Sequence, residues 1–512
     1  MKLIKKWGRP AVMACMLATL SACGGGGGSG KDDRADPKNA ADGLGDYGEV
    51  PGTVKLGRVT QSSGSAGGGI YNGVTSALDD AGRALVAWRV DTGSFTTSQA
   101  AWAESSSTGA WSTTQSLPQA SNISLYGMAL RMNANGDAVL GWVDAGNNTT
   151  LSYGRRAIRY TAGAGWSTTI LDLSGGTQYS TTGHPIDWDL QLLSDGRLIT
   201  KVAASGGPAS VLEIDTGGNP STALTATTEA NRTAFAFRPD GNGYRYMLED
   251  SSSTPGAVEL VFQRASVQLG PLGPLPIATY AGLCSYPSWY SAPSITAATA
   301  SSERSVVAVL SRETSTSSCD THNLQLLAVS DPSSIRADTQ RANAFGSWLP
   351  VPPTLAMDQA GNTLAVWKEA TGTQYGVQTG NTYRLMWAQA LAGQAWSTPQ
   401  TLIPNLASLG TIPNDGRIVV SMNRSGQAVA ALVLNDLTGS SINASIVLSR
   451  FDFTTGWSDW KRVANKLMVS DPSVSINASG AALLAYTAID GRRIDGKAPS
   501  VVSTSFAYAW RF

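Results

Sequence analysis

Short apolar runs recur along this chain, each directly after a glycine turn. The clearest copies are DDAGRALVAW (residues 79–88), NANGDAVLGW (133–142), DQAGNTLAVW (358–367), NRSGQAVAAL (423–432) and NASGAALLAY (477–486). Weaker copies are LSDGRLITKV (193–202), RPDGNGYRYM (238–247) and SSERSVVAVL (301–310). The turn glycines are Gly82, Gly136, Gly196, Gly241, Gly361, Gly426 and Gly480, with Glu303 at the degenerate site. Glycine suits a turn that needs positive φ, and Asn or Asp beside it can bond the local backbone. After the turn, alternate positions share one strand face, as Ala84, Val86 and Trp88 do. The intervening positions, Leu85 and Ala87, are apolar too. A strand that is apolar on both faces is buried on both.

A second marker, Trp-Ser, follows about 30 residues later in several copies, at Trp111, Trp166, Trp396 and Trp457, with a variant at Trp348. It predicts the start of an outermost strand. Between the two markers the pattern predicts a further strand, at residues 99–104, 157–161, 383–388 and 445–451. With the strand before the turn, each copy holds four. The interval between copies, about 57 residues, lies in the range of arrays and propellers. No run keeps the 3.6 period over the length of a substantial helix.

The reading is therefore all-β, a single β-propeller of eight four-stranded blades, or seven if the weak third and fourth copies share one. Residues 53–59 (TVKLGRV) read as a strand ahead of the first copy. Residues 503–512 (STSFAYAWRF) read as a third strand whose fourth is missing. Pairing the two closes the ring. In this reading the repeated Gly and Trp residues serve blade packing.

The N-terminus changes the picture of where the ring works. Lys2, Lys5, Lys6 and Arg9 precede an apolar stretch at residues 11–20, too short to span a bilayer. Leu20-Ser21-Ala22-Cys23 then resembles the lipobox of bacterial lipoproteins. The resemblance implies a signal peptide at 1–22, a lipid (palmitate among its acyl chains) on Cys23 and anchoring in the outer membrane, since Gly24 rather than Asp follows. Residues 23–49, Gly-rich and then polar, read as a flexible tether with a reach of roughly 30 Å. The propeller takes residues 50–512.

Formal charge is zero and charged residues make up 14% of the 512, so there is no basic stripe and nucleic acid is not an expected partner. Of four cysteines, Cys284 and Cys319 fall in the ring. An even pair in an exported protein predicts a disulfide, and both loops they occupy belong to one face of a propeller. Only two histidines, His184 and His322, occur. There is no HExxH, CxxC, nucleophile elbow or P-loop, so neither metal nor cofactor is expected.

Two propeller families resemble the chain in architecture. The Asp/Asn-x-x-Gly turn is similar to the sialidase Asp-box, but Trp88 stands six residues after Gly82 where that family has three. The sialidase resemblance would call for an arginine triad, with Arg156, Arg245 and Arg312 and also Tyr375 as the available residues. Quinoprotein-type repeats place Trp four residues after the turn, again a mismatch.

The longest inserts fall in the loops leading into each blade and those between second and third strands. They carry Tyr280, Tyr286, Trp289 and Tyr290 in one loop, Tyr375 in a second, and Arg492 and Arg493 in a third. Aromatic rings with polar neighbours suit a sugar or a protein hot spot. The reading is a non-catalytic, monomeric, lipid-anchored envelope protein that binds a protein or polysaccharide through this loop face. A sialidase-like glycoside-acting enzyme and an envelope assembly scaffold are the alternatives.

Overall fold

The computed structural model describes residues 49–60, 73–94, 97–121, 123–144, 154–173, 190–203, 208–229, 233–253, 257–266, 270–271, 275–280, 294–299, 304–315, 318–330, 338–343, 353–370, 383–403, 418–436, 443–466, 469–470, 472–490 and 504–512. The chain divides into two units, Met1–Asp33 and Arg34–Phe512, and all described residues belong to the second.

That unit is an eight-bladed propeller. Ahead of the first blade runs β1 (Val54–Thr60). Blade 1 is β2 (Val74–Leu78), β3 (Ala84–Ser94), β4 (Thr97–Ser105) and β5 (Gln115–Ser121). Blade 2 is β6 (Ile123–Met132), β7 (Ala138–Asp144), β8 (Gly154–Thr161) and β9 (Gly165–Asp172). Blade 3 is β10 (Gln191–Leu192), β11 (Leu198–Ala203), β12 (Pro208–Ile214) and β13 (Pro220–Glu229). Blade 4 is β14 (Thr233–Phe237), β15 (Asn242–Asp250), β16 (Val258–Ser266) and an outer strand split into β17 (Gly270–Pro271) and β18 (Leu275–Tyr280). Blade 5 is β19 (Ser294–Thr299), β20 (Arg304–Ser315), β21 (Ser318–Ser330) and β22 (Asp338–Asn343). Blade 6 is β23 (Thr354–Met357), β24 (Thr363–Ala370), β25 (Tyr383–Ala390) and β26 (Gln400–Ile403). Blade 7 is β27 (Val419–Met422), β28 (Ala428–Asp436), β29 (Asn443–Asp452) and a split outer strand, β30 (Gly456–Trp457) and β31 (Lys461–Lys466). Blade 8 is β32 (Ser473–Ile476), β33 (Ala482–Asp490), β34 (Thr504–Arg511) and β1. The weak third and fourth copies form separate sheets, so the count is eight.

Each blade folds from its turn outward. All seven predicted glycines have positive φ, from 83° at Gly82 to 89° at Gly361. Glu303, at the eighth site, lies outside the described residues. The Asx residue three positions before the glycine accepts a backbone N–H from the residue just after it: Asp79 from Arg83 (2.7 Å), Asn133 from Asp137 (3.1 Å), Asp358 from Asn362 (2.8 Å), Asn423 from Gln427 (3.0 Å) and Asn477 from Ala481 (2.9 Å). The second strand then runs fully buried, as β7 does except at Asp144. Trp88 and Trp142 are at 0% and 1% exposure.

Apolar clusters lie between neighbouring blades rather than within them. One aromatic trio is built twice. Between blades 1 and 2, Trp102, Tyr160 and Trp166 meet edge to face with centroids 5.2–6.0 Å apart. Between blades 6 and 7, Trp387, Phe451 and Trp457 repeat the arrangement at 5.0–6.2 Å. Such pairs add about 0.5–1.5 kcal/mol beyond their area burial.

The innermost strand of each blade has a neighbour on one side only, which leaves backbone groups facing the axis. Side chains of adjacent blades take them up. Leu130 N–H donates to Thr75 Oγ1 (2.9 Å), Arg131 to the Leu190 carbonyl (3.0 Å) and Gln191 to the Phe237 carbonyl (2.6 Å). Thr296 donates to the Pro353 carbonyl (3.3 Å), Thr354 to the Ile418 carbonyl (2.8 Å) and Ser76 N–H to Ser473 Oγ (2.9 Å).

The ring closes where the two loose strands meet. β1 pairs antiparallel with β34, Val54 opposite Ala509 and Thr60 opposite Ser505. It also touches blade 1, pairing in parallel at Thr60 and Asp91. The Trp88 indole donates to the Arg58 carbonyl at 3.1 Å. The indole N–H groups of Trp142 and Trp367, at the same repeat position, are buried without a hydrogen-bond partner.

Candidate functional site

The two ends of the ring are built differently. At the base face, turns between first and second strands are short and uniform: 79–83, 133–137, 193–197, 358–362, 423–427 and 477–481. They are tied to one another. Asn423 Nδ2 donates to the Asn477 carbonyl (2.9 Å), Asn477 Nδ2 to the Asp79 carbonyl (3.3 Å) and Arg83 to the Asn135 carbonyl (2.8 Å). Ser194 N–H reaches Pro239 (3.0 Å) and Gln359 N–H reaches Arg424 (3.2 Å).

Three third-strand arginines add a second set of clamps. Arg511 donates to the carbonyls of Gly82 (2.7 Å) and Ser106 (2.6 Å), Arg450 to those of Gly480 (2.9 Å) and Phe512 (3.0 Å), and Arg159 to those of Gly196 and Asp215. Each reaches the turn glycine of the next blade. Burial holds the guanidinium pKa of Arg159 and Arg450 below its ordinary value. The Trp-Ser marker also belongs here. Ser112, Ser397 and Ser458 each accept the backbone N–H of the third strand through Oγ, from Glu104 (3.1 Å), Gln389 (3.1 Å) and Arg450 (3.0 Å). The marker opens the outermost strand in blades 2 and 7, where β9 begins at Gly165 and β30 holds Trp457; in blades 1 and 6 it lies between strands, and its serine caps the third strand.

At the opposite, loop face the connections vary from the single residue 122 to residues 173–190. Ionic groups stand where strands end there. Arg156 lies 3.9 Å from both Asp144 and Asp172. Arg384 forms a two-pronged contact with Glu369, at 3.0 and 3.1 Å. Arg89 and Asp91 are 2.7 Å apart; burial lowers the arginine pKa and raises the aspartate's, the ion pair opposing both. At blade 7, Lys466 is 2.6 Å from Glu49, with its side chain only 5% exposed.

Most of the predicted site residues, Tyr286, Trp289, Tyr290, Tyr375, Arg492 and Arg493, lie outside the described residues, as do Cys23 and Cys284. Two are placed by their backbone. Tyr280 ends β18, opposite Val258, at the loop-face end of blade 4. Cys319 follows Ser318, which pairs with Ser315 at the tip of the β20–β21 hairpin, at the loop-face end of blade 5. Of the arginines considered for a triad, Arg156 is held between its two aspartates, and Arg245 is buried against Gln263 two blades away. Among the described residues, no group of three His, Cys, Asp or Glu side chains could hold a metal ion.

No family model and no curated protein matches the chain. Solved structures do. A polysaccharide lyase, an ulvan lyase, aligns at 10% identity over 73% of this chain and 90% of its own, with a TM-score of 0.42. The β-propeller domain of the Trilobed protease from Pyrococcus furiosus aligns at 10% identity over 74% and 91%, TM-score 0.36. Aleuria aurantia lectin aligns at 13% over 66% and 94%, TM-score 0.30. Likeness at this level carries no argument about activity.

Proposed function

We propose that this chain is a non-catalytic, lipid-anchored propeller of the bacterial outer membrane that binds a protein or polysaccharide through its loop face. The observation that carries it is the contrast between the two faces. The base is a cross-bonded set of near-identical turns, and the other end carries connections of unequal length and composition. Variable loops on a rigid scaffold are where recognition residues concentrate.

Cys23 carries the lipid, and residues 24–48 lead to Glu49. There the chain is pinned to the outer edge of blade 7 by the Glu49–Lys466 pair and by Val50 N–H donating to the Val463 carbonyl (3.1 Å). Cys284 and Cys319 form a disulfide that braces the aromatic loop of residues 281–293 against blade 5.

Soluble protein beginning at Glu49, applied to a broad glycan array with analysis of the eluted sugars, tests the reading. Retained, intact glycans support it. Cleaved glycans overturn it in favour of a glycoside-acting enzyme. With no glycan retained, crosslinking in the native envelope must capture a protein partner for the reading to stand. Loss of palmitate labelling in Cys23→Ser checks the anchor, and full alkylation of Cys284 and Cys319 in unreduced, denatured protein would remove the disulfide.

A further inference from the structure

Charge is spread unevenly over the outer edges of the blades. On the outermost strands whose side chains are described, β5, β9, residues 220–222 of β13 and β26 together carry one charged residue, Asp172. The outer strands of blades 7 and 8, β31 and β1, carry five, and all are cations: Lys55, Arg58, Lys461, Arg462 and Lys466. The acids beside them are Glu49, paired with Lys466, and Asp459. The zero net charge of the chain hides this basic edge.

Three of the cations face one gap. Lys55 stands opposite Tyr508 and Arg58 opposite Phe506 across the β1–β34 pairing, and Lys461 stands opposite Leu448 across the β29–β31 pairing. Residues directly opposite one another project from the same side of a sheet. Phe506, Tyr508 and Leu448 all pack in the cluster between blades 7 and 8. A bulge between Lys55 and Gly57 puts residues 55 and 58 on the same side although they are three apart. Lys55, Arg58 and Lys461 are all exposed. Lys55 Nζ lies 3.5 Å from the centre of the Phe506 ring. Among the described residues, neither Arg58 nor Lys461 has a side-chain hydrogen-bond or ion-pair partner.

The chain from the anchor joins the ring at this same edge. Glu49 bridges to Ala464, and Val50 N–H donates to the Val463 carbonyl. A lipid on Cys23, at the roughly 30 Å reach of the tether, keeps the basic edge near the bilayer. Acyl chains and a basic surface are signals that together hold a protein on an anionic membrane.

We propose that the outer rim of blades 7 and 8 docks on the phospholipid headgroups of the bilayer that holds the anchor. The ring then stands on edge, with base and loop faces both open to the side. The inference takes the anchor from the proposed function, but its test uses protein without lipid, so the two can fail separately.

Residues 49–512, which hold the whole described ring, are sedimented with vesicles of phosphatidylethanolamine and phosphatidylglycerol, and with vesicles of phosphatidylcholine alone. Binding is expected only to the anionic vesicles, and it should weaken as salt rises. Lys55→Glu with Arg58→Glu and Lys461→Glu should cut it about tenfold or more at an unchanged melting profile. Arg424→Glu, which reverses an exposed cation in a base-face turn, should leave it unchanged. If the triple variant melts early, Arg58→Glu with Lys461→Glu, which disturbs no described side-chain partner, carries the same prediction. No binding to the anionic vesicles at low salt, equal binding to phosphatidylcholine, undiminished binding by the rim variants, or equal loss with Arg424→Glu would each overturn the proposal.

Discussion

The side-chain amide of Asn477 donates to the backbone carbonyl of Asp79, 3.3 Å away, across the gap where the ring closes. The same bond runs from Asn423 to the Asn477 carbonyl at 2.9 Å one gap earlier. One residue type thus does two tasks: its oxygen shapes its own turn and its nitrogen holds the next blade. Aspartate can do only the first. Asn477→Asp should keep the turn but bring a carboxylate oxygen against the Asp79 carbonyl in a buried place, costing about 2–3 kcal/mol. Asn423→Asp should cost as much. Urea midpoints of the two variants check this, and a far larger loss at Asn477 would mark the closing gap as the weaker one.

Tyr160 of blade 2 donates to Glu104 of blade 1 at 2.6 Å. The corresponding pair between blades 6 and 7 is Phe451 and Gln389, each at the same distance from its Trp-Ser marker. Tyr160→Phe alone strands a half-buried carboxylate and should cost about 1–2 kcal/mol. Adding Glu104→Gln reproduces the other pair and should recover at least half of that. A double-mutant cycle on unfolding free energies measures the coupling.

Burial, reinforced by the bond to Glu104, raises the pKa of Tyr160, and burial raises that of Tyr246. Both phenols are therefore favoured in the neutral form by the folded state. The stability they contribute is complete below the ordinary tyrosine pKa of about 10 and is lost as pH rises toward their folded values. Spectrophotometric titration should find these two unionised when exposed tyrosines have titrated, and Tyr160→Phe should flatten the fall in stability above about pH 10.

Gly57 of β1 lies where a Cβ would come within 2.8 Å of Trp88 Cζ2 and 2.9 Å of Thr114 Oγ1. Gly57→Ala should force β1 out of its seat at a cost of about 1–3 kcal/mol. Hydrogen exchange should then quicken along β1 and β34 and stay unchanged in blades 3 to 6.

The blades were legible because each is anchored by one turn and one aromatic. The glycines at positive φ, the doubly buried second strands and the β1–β34 closure all followed from the repeat. Blades 3 and 4 read weakly because Val202 and Met247 stand where Trp88 and Trp142 stand elsewhere. Their turns, Gly196 and Gly241, kept the same backbone. The clamps were not read. Arg159 and Arg450 each lie seven residues before a marker Trp, a regularity present in the sequence, but a polar residue on a strand says nothing by itself about which carbonyl it will reach. The Trp-Ser marker opens the outer strand in blades 2 and 7 as expected; in blades 1 and 6 its serine caps the third strand instead, through a bond to backbone that has no sequence signature. Loop residues such as Tyr280 resist reading for the opposite reason: the repeat constrains where loops begin and end, not what they do.

The pairing of β1 with β34 also sets a clock. The first strand of the ring to be synthesised meets blade 1 only at Thr60 and must wait for its main partner until nearly the whole of the remaining chain is made, a pairing of very long range. A polypeptide stopped before residue 504 leaves β33 with a bare edge and β1 with nowhere to go, two adhesive strands at one opening. Closure therefore acts as a check on completeness: only a chain translated to its last strand can hide its first.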